Sequence, residues 1–426
     1  MHVVIVGAGV MGATTAFFLQ QRGCVVTVLD QQSGPAEGAS HANGGFFSAG
    51  LSAPWSAPGA VGMAFKSQFD KSAAFKWKPD FTLRQVTWML KSLKECRPER
   101  FAGNRARLTR MCIYALECLR AVEAAVEIDY ERSNDGVLQL YREPVPAALV
   151  DGHLKYLETM GVPGTFLSAA QVFAMEPALA RSAPGLFGAL HLPGDLSGDC
   201  AVFTRKLVDA IQRKGGRFLW STPVERVVVD ESGASAGRVM AIACRGGTVI
   251  HADAYVFATG AETPRVLKGI VDVPLYPIKG YSMTAPLQDM ENAPRHSMFD
   301  FATKTGMARL GNEIRVSGIA EVVGYDARLD RARCDQLSAA FEAAFPNAAN
   351  RRAATFWTGL RPATPDGVPL VSRTRLGNLF INTGHGGSGW SMSCGSGKLM
   401  ADIVIDGKTD IDANDYALPG VKSPHR

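Results

Sequence analysis

The chain has 426 residues, 46% of them hydrophobic and 20% charged, the balance of a soluble globular enzyme of about two domains and not of a disordered chain. Its 45 basic and 40 acidic side chains leave a diffuse +5 with no Lys/Arg block, which argues against a nucleic-acid partner. The 8 cysteines contain no Cys-x-x-Cys pair and no zinc-like spacing, so reduced thiols and no metal site are expected.

No window holds the ~20 apolar residues that span a bilayer, so no transmembrane segment is expected. A strand-like run follows Met1 directly, without a basic leader, and a signal peptide is not expected. The expected location is the cytoplasm, or the periphery of the cytoplasmic face of the inner membrane.

Val3, Val4, Ile5 and Val6 form a β-branched run suited to a strand buried on both faces. Gly7-Ala8-Gly9-Val10-Met11-Gly12 follows at once, then a helical stretch to about Gly23 and a second strand from Val25 to Leu29. In such a βαβ unit Gly7 permits the tight turn, Gly9 lets the backbone approach a pyrophosphate, and Gly12 allows close helix–strand packing. The helix start then presents free N–H groups to the anion. Asp30, with Gln31 beside it, closes the second strand, where a carboxylate accepts from both ribose hydroxyls and disfavours the 2′-phosphate of NADP. This fingerprint by itself does not separate NAD from FAD.

Further along, the Ala/Pro/Gly-rich stretch from Gly50 to Gly62 reads as an ordered loop. Phe81, Val86, Trp88, Met89 and Leu93, then Leu108, Met111, Ala115, Leu116 and Leu119, carry helical periodicity. The run from Arg217 to Val229 reads as a strand pair in which Val224 meets the adenine. Ala252 to Gly260 reads as a strand that returns to the first domain and ends in Ala258-Thr259-Gly260, a pattern more typical of two-domain flavoproteins than of simple NAD dehydrogenases. Strands from Tyr281 to Thr284 and from Glu313 to Gly318 precede a helix from Arg331 to Phe345. Gly384, His385, Gly386, Gly387, Gly389 and Trp390 lead to a helix expected from Lys398 to Ile405. Glycines at that density let backbone N–H groups crowd a ligand, and beside a flavin they would stabilise the negative charge of the reduced ring.

Together these residues resemble the D-amino-acid oxidase-like FAD oxidoreductases, and among them the bacterial D-amino-acid dehydrogenases in their small, catalytic subunit. The resemblance rests on Gly7 to Gly12, Ser40-His-Ala-Asn43-Gly44-Gly45, Ala53 to Gly59, Val137 to Leu140, Lys268 to Pro274, Tyr276 to Ser282, Thr355 to Pro362, Thr364 to Gly367 and the Gly384 to Trp390 loop. It covers nearly the whole chain and departs in the tail after Asp406 and across residues 66 to 80.

The resemblance implies an α/β and α+β protein: a Rossmann-like FAD-binding domain of the discontinuous GR2 type with an antiparallel-sheet substrate domain. The first is expected from residues 1–60, 195–275 and 355–426, the second from 61–194 and 276–354. Residues Val6 to Gly12 and Asp30 would hold the ADP half of FAD, Ser40, Asn43 and Gly44 would lie along the pyrophosphate and flavin, and the Gly384 to Trp390 loop against the ring. Thr259 and Gly260 are placed with them. The resemblance makes His385 a flavin contact and not a general base, and Arg361 the grip on a substrate carboxylate, for which a planar guanidinium is suited. Tyr281 either places a hydroxyl over the site or packs as an aromatic in its strand.

The implied reaction is oxidative deamination of a D-amino acid, with hydride passing from Cα to flavin N5, hydrolysis of the imino acid, and electrons leaving to a membrane quinone or another respiratory acceptor. It calls for no metal, covalent nucleophile or compulsory side-chain base. Phe46, Phe47, Leu51, Trp55 and Met63 form a candidate apolar contact surface for the acceptor, with buried packing the expected role of most of them. A related enzyme of cyclic or N-methylated amino acids (cis-4-hydroxy-D-proline, D-proline, sarcosine), a non-catalytic FAD-binding subunit of a redox complex and an NAD dehydrogenase stay open. These residues set neither the hand of the substrate nor the oligomeric state.

Overall fold

The computed structural model describes residues 1–70, 73–230 and 237–421. At its centre lies a six-stranded sheet in the order Leu370–Arg373, Leu379–Thr383, Ala254–Phe257, His2–Val6, Val25–Leu29 and Arg217–Leu219. All neighbours run parallel except the first pair. Val3, Val4 and Ile5 are fully buried, as expected of a strand covered on both faces.

One face is covered by the helices Val10–Gln21, Gly389–Val404 and Pro98–Ala125, which approach closely because glycines face their neighbours. A Cβ on Gly397 would meet Thr14, and one on Gly395 would meet the backbone of Ala115 at 2.9 Å. Thr14 Oγ1 donates to the Ser393 carbonyl at 3.0 Å across the first of these contacts. The last helix thus starts at Gly389, not Lys398, and Gly395 and Gly397 inside it serve helix packing. The other face carries the three-stranded sheet Val224–Asp230, Arg238–Cys244 and Val249–Ile250.

The strand pair expected between Arg217 and Val229 is therefore split. Arg217–Leu219 joins the central sheet, while Val224–Asp230 pairs with Arg238–Cys244 in the smaller one. Trp220 to Pro223, between the two strands, let the chain leave the first sheet and enter the second.

The second large sheet runs Thr355–Ala363, Tyr276–Pro286, Glu313–Val322, Thr305–Leu310, Ser297–Asp300, Val137–Tyr141, Gly188–Leu192 and Thr165–Ser168, with Phe75–Trp77 added beside Glu313–Val322. It is mixed and not purely antiparallel, since Ser297–Asp300 pairs parallel with Val137–Tyr141 and Phe75–Trp77 parallel with Glu313–Val322. Thr355–Ala363 belongs here through its full pairing with Tyr276–Pro286, so in sheet pairing the boundary expected at residue 355 falls after Ala363. Helix Arg331–Ala344 covers the outer face, where Leu337 and Phe341 pack with Tyr281, Met283 and Val316.

Arg315 ties the two parts together: Nη2 reaches Asp199 at 3.1 Å, Nη1 donates to the Asn43 carbonyl at 3.1 Å, and Nε donates to Thr284 at 2.6 Å. All eight cysteines are free thiols. Among the described residues no helix is long and apolar enough to cross a membrane, and no His/Cys/Asp/Glu group is placed to hold a metal. The divergent C-terminal tail lies outside the described residues from 422 on.

Candidate active site

A single cavity of about 1760 Å³ runs between the two large sheets, from Asp30 at one end to Arg361 at the other. At the first end Gly7 has φ +104°, and a Cβ there would meet the Ala258 carbonyl oxygen at 2.5 Å. A Cβ on Gly12 would overlap the Gly7 carbonyl, so the first helix sits directly on the turn. Its start at Gly9 has no side-chain cap. Ser40 Oγ takes the Val10 N–H at 3.0 Å, and the positive end of the helix faces the cavity.

Asp30 accepts from the Ala8 amide at 2.6 Å and the Gln32 amide at 2.9 Å, while the residue lines the cavity. Burial pushes its carboxyl above the usual value, against the pull of those two amides. The carboxylate therefore braces the glycine turn as well as lining the cavity.

Of the residues expected at the cofactor, Val6, Gly7, Gly9, Val10, Met11, Asp30, Gln31, Ser40, Asn43, Gly44, Val224, Thr259, Gly260, His385, Gly386, Gly387, Gly389 and Trp390 line the cavity. Ala8, Gly12 and Gly384 do not. Ala8 is fully buried, Gly12 packs on Gly7, and a Cβ on Gly384 would meet Thr364 at 2.8 Å, so these three shape the wall from behind. The Trp390 indole lies edge-on to Phe47 and Tyr130 and against Phe203, which turns it into the core, so the tryptophan presents little beyond its backbone. Phe47 is buried with it, whereas Trp55 and Met63 are 46% and 62% exposed.

His385 is 3% exposed, its Nε2 lies 2.9 Å from Ser396 Oγ, and burial lowers its pKa to about 3. A ring that stays neutral and is tied into the loop is a wall element and a poor proton acceptor.

The far end is set by strand register. Ile278, Gly280 and Ser282 pair with Arg361, Gly359 and Trp357, so these six share one face of the sheet. The guanidinium of Arg361 occupies the space a Cβ on Gly280 would fill, and the Trp357 ring folds over Gly359 in the same way. Opposite Gly280 the neighbouring strand bulges: Lys279 pairs with Glu321 but Tyr281 with Gly318. Ile319 takes φ +56° in that bulge, a conformation costly for a β-branched residue. Its carbonyl is thereby turned to accept from Arg361 Nη1 at 2.9 Å, with the Gly318 carbonyl 3.4 Å from Nη2.

Trp55 flanks the same guanidinium at 5.4 Å. No carboxylate pairs with Arg361 among the described residues, and burial lowers its pKa to about 10, which leaves it charged at neutral pH. A cation so enclosed gains most from an anion supplied by a ligand.

Tyr281 lines the cavity too, but its hydroxyl is not on that face. Strand alternation turns its side chain to the outer side, where it is 2% exposed and donates to Glu321 Oε2 at 2.8 Å. Glu321 is also held by Arg333 at 2.9 Å and Lys279 at 3.7 Å. The hydroxyl read as a candidate over the site thus belongs to a buried ionic cluster behind it. Trp357, Ser317 and Ile319 line the cavity without having been anticipated. The spacing Trp357, Gly359, Arg361 carried the signal, because alternate residues of a strand face the same way.

Behind the lining at Gly50, Asp195 accepts from the Ser48 hydroxyl and from the Ala49 amide at 2.9 Å. Burial pushes this carboxyl up to about 6.

The sequence matches the family model described as FAD dependent oxidoreductase over residues 2–403. Among solved structures, glycine oxidase from Geobacillus kaustophilus is 22% identical, with TM-score 0.72 and coverage of 98% of this chain and 97% of that one. L-proline dehydrogenase from P. horikoshii is 17% identical, TM-score 0.73, covering 98% and 96%. Iminodiacetate oxidase from Chelativorans sp. BNC1 is 19% identical, TM-score 0.71, covering 97% and 98%.

Proposed function

The chain belongs to the FAD dependent oxidoreductase family and uses FAD, and on that premise we propose that it deaminates D-amino acids oxidatively to 2-oxo acids and ammonia, passing the electrons to a quinone or another respiratory acceptor. The residues fit the cofactor: the uncapped helix start at Gly9 suits a pyrophosphate, Asp30 a ribose, and the glycine-lined segment from His385 to Gly389 the flat ring. FAD, when bound, supplies the acceptor for a hydride from the substrate Cα.

Everything else is asked of the chain. Arg361 binds the α-carboxylate through two parallel hydrogen bonds, and the carbonyls of Ile319 and Gly318 keep its fork from turning. Trp55 and Trp357 flank that carboxylate and reduce the water around it. Holding one end of the substrate fixes which Cα hydrogen faces the cofactor, and this positioning supplies much of the rate. The amine loses its own proton to water, because neutral His385 is tied to Ser396 and the Tyr281 hydroxyl faces away.

The observation that carries this reading is the enclosed Arg361 guanidinium without an acid partner. The resemblance in the motifs from Gly7 to Trp390 carries the choice of D-amino acids. The test is anaerobic mixing with D-alanine, D-proline, cis-4-hydroxy-D-proline, sarcosine, glycine, L-proline and iminodiacetate, watching the flavin absorption band. D-Alanine is expected to bleach it. Bleaching by a cyclic or N-alkyl substrate alone would reassign the substrate class, and no bleaching by any would reduce the chain to a flavin-binding subunit.

A further inference from the structure

Half of the strongly exposed large apolar side chains cluster in one short stretch. Of 20 across the described residues, ten lie between Trp55 and Leu93: Trp55, Val61, Met63, Phe65, Phe69, Phe81, Leu83, Val86, Leu90 and Leu93. Exposed singly, such residues need no explanation, but a contiguous group does.

The helix Leu83–Glu95 shows how the exposure arises. Leu83, Val86, Leu90 and Leu93 fall on one side of it, and that side is exposed, with Leu83 83% exposed and Leu93 at the cavity rim. The helix is held to the body by its polar and aromatic side instead. Gln85 donates to the Tyr276 hydroxyl at 2.9 Å and Trp88 Nε1 to the Ala363 carbonyl at 2.8 Å. Of the positions that carry the helical period, Trp88 and Met89 face the cavity, Val86 is exposed, and Phe81 precedes the helix. The helix Ala60–Ser67 likewise leaves Val61, Met63 and Phe65 exposed. Both helices line the mouth of the cavity, and Val61, Met63, Phe65 and Leu93 of the exposed group stand at that rim, while Phe69, Phe81, Leu83, Val86 and Leu90 lie outside it.

Charge marks the same stretch. Residues 60–95 hold seven Lys/Arg and three Asp/Glu, so their formal +4 is nearly the whole +5 of the chain. Two of the three acids are engaged locally, Asp80 with Thr82 and Tyr276 and Glu95 with Arg100. Lys66, Lys78, Lys91 and Lys94 have no ion pair among the described residues.

We propose that this collar of apolar side chains ringed by free lysines docks on the surface of a bilayer containing anionic lipids, seating the mouth of the cavity at the headgroups. Apolar side chains beside Lys and Arg on short helices are what partial insertion among headgroups requires. A second copy of the chain is the weaker occupant, since it would set two +4 surfaces face to face. The proposal extends the reading above, because an apolar acceptor would then reach the cavity from the lipid, but docking itself does not depend on the substrate.

The test is co-sedimentation of the FAD-loaded protein with vesicles of phosphatidylcholine alone and of phosphatidylcholine with 30% phosphatidylglycerol. Binding is expected only to the anionic vesicles, weakening at least tenfold as salt rises from low to physiological strength. Leu83→Ser combined with Leu90→Ser and Phe69→Ser, none of which lines the cavity, is expected to lower binding at least tenfold. Lys91→Glu with Lys94→Glu is expected to do the same, while FAD content and turnover with a soluble dye are unchanged in both. Equal binding to both vesicle types, absence of binding, or a salt-stable dimer in vesicle-free solution that the leucine variant dissociates would each overturn the proposal. Flavin bleaching by substrate is read separately, so failure of the proposed reaction and failure of docking are distinguishable.

Discussion

The two ends of the cavity are built in opposite ways. The nucleotide end comes from one contiguous stretch, His2 to Asp30, in which turn, helix start and carboxylate are fixed by positions a few residues apart. The far end brings together Trp55, Gly280, Ile319, Arg361 and Gly387, five segments that meet only when three strands pair in one register. A motif of the first kind folds its chemistry locally. A site of the second kind depends on which way each side chain points, and one residue of slip would reverse it.

The sharpest way to break that contrast is to change a residue at one end and read the other. Arg361→Met should lower kcat/KM for the amino acid about 10³-fold, from the ~4 kcal/mol typical of losing one partner of an enclosed charge pair, with FAD content unchanged. Loss of flavin as well would mean that the ends are not independent. At the nucleotide end, Gly12→Ala should weaken FAD binding about a hundredfold, since its Cβ would overlap the Gly7 carbonyl and overpacking costs up to ~3 kcal/mol. A yellow, fully loaded variant would show that the turn can relax.

Asp195 braces the lining at Gly50 from behind. Its folded pKa of about 6 is above the ordinary carboxyl value, so stability is greatest below about pH 4 and falls as the pH rises through 6, by ~3 kcal/mol for ~2 units. His385 has the opposite sign, its folded pKa of about 3 lying below the imidazole value, so its share is lost as the pH falls below about 6.5. The difference in unfolding midpoint between the wild type and Asp195→Asn isolates the first effect. It should decline between pH 4 and 6, and a flat difference would remove Asp195 as the source.

Smaller effects test the register. Gly280→Ala fills the slot of the Arg361 guanidinium and should raise KM about 30-fold, from ~2 kcal/mol of overpacking, with the flavin spectrum unchanged. Tyr281→Phe should cost ~1 kcal/mol of stability, the usual worth of one buried hydrogen bond, and leave kcat/KM within about threefold. A large catalytic loss there would return the hydroxyl to the site, against the strand alternation.

By itself the sequence determined the βαβ unit, the acid that closes its second strand at Asp30, and FAD as cofactor through the resemblance, because each is a short-range pattern whose parts are neighbours along the chain. Tertiary structure decided the rest. The helix expected from Lys398 begins at Gly389, where Gly395 and Gly397 let it pack on its neighbours, and the Tyr281 hydroxyl, open between site and packing, goes to Glu321. The apolar period at Leu83 to Leu93 gave the helix but not its sense, since hydrophobic spacing says that a face exists and only the neighbours that pack on it say whether it is covered.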